Sequence, residues 1–315
     1  MTGTLIQPAP IKDILTGILL CILIISIMYI MPFIGVFAWM FLPLPVLFYR
    51  LKTGRKGGAT IMIASMAILI ILTSNFAANT LYFGSLLMTG FFLGEFIEQH
   101  LRIEKIFLYT GFAVLSTCVL ILFFYSLTLT QGIDQLISNY AARYQTLSTQ
   151  LFSQSAQMYP ELKVDQQMIE TASSLIVSTF PAIFIISYIT MIWLNILLIK
   201  RLLKNKGIIV NSIENLNQWK APDYLVFGVI GLSVLIFLPK SVLTIFALNS
   251  LIVLIFAYFF QGIAIVSFFF QKKSAPFALK FFLYTLIAIQ PLFMLLIIGF
   301  GLFDTWFNFR KLDTT

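Results

Sequence analysis

Between Ile14 and Gly301 the chain returns repeatedly to uncharged apolar stretches about 20 residues long, the length of helix that crosses the hydrocarbon core of a bilayer. Inside that core no water is present to pair backbone N–H and C=O groups, so stretches of this kind are stable only as helices. Composition agrees: 60% of the residues are hydrophobic and 10% are charged, whereas a soluble domain carries about 25% charged residues. The expected fold is all-α, a polytopic transmembrane helical bundle with no large soluble domain.

The first stretch, "ILTGILLCILIISIMYIM" (14–31), is long for a signal-peptide core and has no small-residue cleavage pattern behind it, so it reads as a retained helix. Nine helices are expected, over 12–31, 34–49, 59–73, 80–97, 106–128, 173–199, 223–238, 241–270 and 277–301. The segment 241–270 would be about 45 Å long, more than one untilted crossing, and Gly262 is the place for a bend. An eight-helix count, with the chain ending on the opposite side, is the alternative.

Lysine and arginine accumulate on the cytoplasmic side of membrane proteins. The connections "RLKTGRKGG" (50–58) and 200–220 are strongly basic, and with Lys12, Arg102, Lys105, Lys272, Lys273 and Lys280 they put fifteen of the 20 basic residues on one side. The N-terminus is then inside. The net charge of +8 follows from this bias and implies no nucleic acid.

Residues 129–172 fall outside, with Arg143 and Lys163 against Asp134, Glu161, Asp165 and Glu170. Within them Ile133, Leu136, Ile137, Tyr140, Tyr144, Leu147 and Leu151 recur at helical spacing, which predicts an amphipathic helix ended by Pro160. The chain therefore divides into a five-helix membrane half (1–128), an outer amphipathic helical connection (129–172) and a second membrane half (173–315). The halves show no repeat.

Few residues carry recognisable chemistry. His100 is the only histidine, and Cys21 and Cys118 lie inside expected helices as apolar fillers, so neither a zinc site nor a catalytic nucleophile with its base can be assembled. No catalytic residue, metal or cofactor is expected, and the protein is not read as an enzyme. Glu95 ends the stretch "FFLGEFIEQH" near the cytoplasmic boundary, where it would reach headgroups or pair with Arg102 or Lys105; an ion- or ligand-handling role is the other reading. Gly84, Gly90 and Gly94 form a small-residue stripe suited to close helix packing, with a ligand-adjacent surface as the alternative.

Uncharged amides are the candidate ligand contacts: Asn249, Gln290, Gln261, Asn195, Asn75 and Asn79. Asn249 and Gln290 lie about 12 Å and about 16 Å from the outer ends of their helices, and Pro291 frees a carbonyl beside Gln290. This depth predicts a pocket between the last two helices, although plain hydrogen bonding across the bundle explains the same residues. Pro43 and Pro45 in "FLPLPVLFYR" distort the second helix, as the wall of a cavity or as a short or re-entrant helix.

Two stretches, "FLPLPVLFYRLKTGRKGGA" (41–59) and "LNSLIVLIFAYFFQGIAIVSFFFQKK" (248–273), resemble the YybS-like family of bacterial predicted membrane proteins, with Asn249 followed by Gln261 and Gly262 as the more specific part. The family is in turn distantly similar to the substrate-binding S components of energy-coupling-factor transporters and to the rod-shape protein MreD. That kinship implies either a small-molecule pocket or a scaffolding role in the membrane. S components carry AxxxA on the first helix to dock their energising subunits, and the nearest equivalent here runs from Gly17 to Cys21. The leading expectation is a membrane protein that binds a small or amphipathic solute between its helices, transport-related or a substrate-capture subunit. A non-transporting scaffold recruiting cell-envelope or cytoplasmic protein partners through its basic connections is the alternative.

Overall fold

The computed structural model describes residues 10–73, 78–126, scattered positions between 138 and 154, 166–204, 216–239 and 241–311. Its elements are α1 (Ile11–Ile30), α2 (Pro32–Ala38), a 3-10 turn (Trp39–Phe41), α3 (Pro43–Thr73), α4 (Ala78–Glu98), α5 (Ile103–Ser126), α6 (Gln166–Lys204), a second 3-10 turn (Leu216–Gln218), α7 (Leu225–Ile236), α8 (Val242–Lys272), α9 (Phe277–Ile289) and α10 (Pro291–Phe307). Six helices among the described residues are long and apolar enough to cross a membrane, or seven if α9 and α10 count as one bent span. The chain is an all-α polytopic bundle. The amphipathic outer helix expected between 133 and 152 falls mostly outside the described residues; those placed, such as Gln145, Thr146 and Leu147, are helical.

Contacts group the chain into two compact units, one of Met1–Thr130 with Tyr188–Glu214 and one of Gln131–Ser187 with Asn215–Thr315. The division read from the sequence kept all of 173–315 together. In the structure the two units divide within α6, between Ser187 and Tyr188.

In the first unit the decisive feature is a reversal within α3. Gly54 has φ 81° and ψ −178°, a conformation open essentially to glycine alone. A Cβ built on Gly58 would lie 2.9 Å from the Arg50 Cα, whereas residues eight apart in a straight helix are about 12 Å apart. The chain therefore folds back at Gly54 into two antiparallel limbs, 43–53 and 55–73. Gly17 of α1 touches both, meeting Tyr49 and Ile61, and Lys52 reaches Asp13 at 2.8 Å. On α4, Gly84 lies against Met66 of the second limb, while Gly90 faces the Pro43 carbonyl and Gly94 the Arg50 side chain of the first. Small residues thus bring the α4 backbone onto both limbs. α5 shows a broad apolar surface outward through Leu108, Phe112, Leu115, Leu120 and Phe123, as lipid contact requires.

The second unit is organised on α8, which runs unbroken through Gly262. That glycine admits a neighbour and makes no bend: Gly262 lies against the Ile297 carbonyl and Gly301 of α10 against the Tyr258 carbonyl. The expected helix 277–301 is two helices, meeting at Gln290–Pro291 with a bend of 102°. Pro291 lacks an N–H and bars helical dihedrals from the residue before it, and Gln290 accordingly takes φ −101°, ψ 110°.

Candidate functional site

Two ionic clusters stand out among the described residues, one in each unit, each built on a buried arginine. In the second unit Gln261 of α8, Asp304 of α10 and Arg310 beyond it are all buried. α10 stops at Asn308, a left-handed residue (φ 41°), and the chain turns so that Arg310 reaches back over the helix end. Arg310 Nη2 donates to Asp304 Oδ2 at 2.8 Å, Gln261 Nε2 donates to the same oxygen at 3.0 Å, and the Phe309 N–H donates to Asp304 Oδ1 at 2.9 Å.

These side chains support a stretch of non-helical backbone. Arg310 Nη1 donates to the carbonyls of Asn217 (3.0 Å) and Trp219 (2.9 Å), and the Ala221 N–H donates to Gln261 Oε1 at 3.1 Å. Asn217 Nδ2 also donates to Gln271 Oε1 at 2.6 Å. Segment 217–221 thus packs beside α8, its contacts reaching from Gln271, through the Asn217 side chain, to Gln261. Whichever 20 consecutive residues of α8 occupy the hydrocarbon, Gln261 is among them. Backbone without helical hydrogen bonds is stable in apolar surroundings only where protein partners satisfy it, and the Gln261–Asp304–Arg310 cluster supplies those partners.

In the first unit Arg50 is 1% exposed, packed between Gly58 and Gly94 with the Phe91 ring 5.8 Å away. Its Nη2 meets Glu95 and Glu98 of α4, each at 2.6 Å, and Arg55 reaches the other Glu95 oxygen at 3.0 Å. Glu95 therefore pairs with the α3 fold, where the sequence pointed to Arg102 or Lys105. Sequence separation hides this pairing, because the reversal at Gly54 is what lays Arg50 against α4.

The amides fare differently from one another. Asn249 serves α6: its Nδ2 donates to the Ser178 carbonyl (2.8 Å) and to Ile245 O (2.9 Å), and its Oδ1 accepts from the Ala182 N–H (2.9 Å). It bridges two backbone groups flanking Pro181, the position where an α-helix loses a hydrogen bond. Gln290 is exposed at the α9–α10 bend. The expected Asn249–Gln290 pocket is therefore not formed, because one amide is used by α6 and the break at Pro291 turns the other away from the core. Gln261 is buried and bonds Asp304 and the Ala221 N–H. Asn195 is buried and donates to Met40 O (2.8 Å) and Met191 O (2.7 Å), satisfying the turn that Pro43 and Pro45 impose. Asn75 lies outside the described residues, and Asn79 is placed by its backbone alone, in the first turn of α4. Among the described residues no three His, Cys, Asp or Glu side chains gather as metal ligands.

Arg50, Asp304 and Arg310 escaped the sequence reading. Asp304 and Arg310 stand six apart across a helix end, a spacing that carries a signal only once the left-handed stop at Asn308 is known.

Over residues 18–305 the chain matches the family described as Predicted membrane protein (DUF2232). It is similar to the Uncharacterized protein YybS of Bacillus subtilis (strain 168), 24% identical over 306 residues that cover 93% of this chain and 94% of that one. No solved structure matches.

Proposed function

The chain belongs to the DUF2232 family of membrane proteins, and from that premise we propose that it handles a small or amphipathic solute within the bilayer, as a transport-related or substrate-capture protein without enzymatic activity. Segment 217–224 forms the wall of the solute site. The observation that supports this is the non-helical backbone packed beside α8, held by the Gln261–Asp304–Arg310 cluster. A transmembrane helix spends its backbone groups on itself, whereas non-helical backbone at depth has groups to offer a guest, which is why broken elements line ion and substrate sites.

The test is accessibility together with retention. A cysteine at Pro222 or Tyr224, with Cys21 and Cys118 replaced by Ala, reacts with a small water-soluble thiol reagent at a rate within tenfold of an exposed control. Native mass spectrometry of the purified protein shows a bound small molecule that Gln261→Leu loses. Unreactive cysteines together with a protein free of bound molecules would refute the reading.

One arrangement favours the scaffold as a second reading. The buried Asn195 and the half-buried Asn249 hydrogen-bond to backbone of their own units, and the first unit exposes Lys12, Arg55, Lys56, Arg102 and Lys105. A photo-crosslinker at Lys56 in native cells then traps a discrete cytoplasmic protein, and reversing the charge of Arg55 and Lys56 abolishes the adduct.

A further inference from the structure

We infer that α9 does not cross the bilayer: it lies in the membrane plane at the Lys272 end of α8 and seats anionic lipid headgroups on Lys272, Lys273 and Lys280. Three points along α9 sit at one level. It starts at Phe277, five residues after the end of α8, so a short connection holds it there. Near its middle the Tyr284 ring packs edge-on to Phe270 with centroids 5.6 Å apart. Its end is fixed through α10. The approaches of Gly262 to Ile297 and of Gly301 to Tyr258 advance along one helix as they retreat along the other, so α8 and α10 are antiparallel where they touch. Pro291 lies six residues before Ile297, about 9 Å, which returns it to the neighbourhood of Phe268. Start, middle and end thus all lie near residues 268–272 of α8, and the 102° bend at Gln290–Pro291 is what this requires.

Length and surface agree. Thirteen residues make a helix about 19 Å long, too short for a core of about 30 Å. The side turned away from the unit is apolar and exposed, with Phe277 (81%), Phe281 (64%), Phe282 (62%) and Ile289 (74%), while Ile287 is buried. A short apolar helix held at this level places its exposed side against the hydrocarbon just below the headgroups, while Lys280 reaches toward them. Lysines 272 and 273 are exposed at its approach, Lys280 lies in its first turn, and no acid occurs between Asp223 and Asp304, so the local charge suits anionic lipid.

The experiment uses the full chain, with Cys21 and Cys118 replaced by Ala, reconstituted into vesicles of phosphatidylcholine alone or mixed with phosphatidylglycerol. Spin labels at single cysteines replacing each residue from Ala278 to Ala288 in turn report depth by relaxation with oxygen and a water-soluble nickel complex. An in-plane helix gives depths that oscillate every three to four residues with no trend, and a trend exceeding 12 Å from one end to the other would overturn the proposal. Phosphatidylglycerol occupancy by native mass spectrometry is then compared with K272Q/K273Q/K280Q. The apparent affinity falls by about fivefold for each lysine removed. Unchanged affinity in the triple variant overturns the headgroup assignment even where the depths remain flat.

Discussion

Asn249 offers the sharpest measurement. Its side-chain amide spans the Ser178 carbonyl and the Ala182 N–H beside Pro181, so Asn249→Leu removes two interhelical hydrogen bonds at 2.8 and 2.9 Å and strands both backbone groups. Interhelical hydrogen bonds within bilayers average about 0.6 kcal/mol and reach about 1.7 kcal/mol. A buried polar group left unpaired adds about 1 to 3 kcal/mol. Partial reclosure of α6 offsets some of this, which places the substitution near 2 kcal/mol. Pro181→Ala restores an N–H and removes the ring that keeps the turn open, so α6 can pair these groups itself. In that background Asn249→Leu should cost about 1 kcal/mol, a coupling of about 1 kcal/mol. Reversible unfolding in mixed micelles, followed by tryptophan fluorescence over a range of denaturing detergent, reads all four corners of the cycle. Equal costs in the two backgrounds would refute the bridging role. So would loss of a bound solute with the unfolding midpoint unchanged, which would return Asn249 to the ligand.

Arg50→Met removes the buried guanidinium between Glu95 and Glu98 and should lower stability in the same unfolding assay by about 1 to 3 kcal/mol, less than for a fully buried pair, because Glu98 is 56% exposed and Arg55 still reaches Glu95. Glu95→Gln should cost clearly less, because Glu98 still holds Arg50. Gly54→Ala forces a Cβ into φ 81° and should cost about 1 to 3 kcal/mol although nothing lies within 4 Å of the added atom. Asp304→Leu and Arg310→Met should each destabilise more than the two together, since the pair removed as a unit leaves no buried lone charge. For orientation, a cysteine at Lys56 should resist an impermeant thiol reagent added to intact cells and one at Gln150 should react; the reverse pattern would invert the topology.

The helices were legible because hydrocarbon leaves the backbone one option, and apolar length alone marks where that option is taken. The Gln290–Pro291 break was half visible: Pro291 announced a missing donor, but the same residue kinks or terminates a helix according to what packs beyond it, here the glycine contacts of α10 on α8. Asn249 stands out in the sequence as an amide inside an apolar run, but its contact with the turn at Pro181 does not, because Pro181 lies in a different helix 68 residues earlier and only packing joins them. Arg50 looked like one basic residue among four in a cytoplasmic connection. Its burial depends on Gly58 and Gly94, whose lack of side chains reads equally well as flexibility until the fold at Gly54 is known.

That fold also bears on how the protein is made. Limbs reversed by a single residue have no slack, so 43–53 and 55–73 cannot settle in the membrane independently: the second is tied to the first as soon as both leave the insertion machinery. Arg50 finds both of its carboxylate partners on α4, so the pairing that holds the hairpin is complete only once α4 lies beside it. A reporter inserted between Thr53 and Arg55 would separate the limbs before that step, whereas one placed after Glu98 would leave the assembled pair intact.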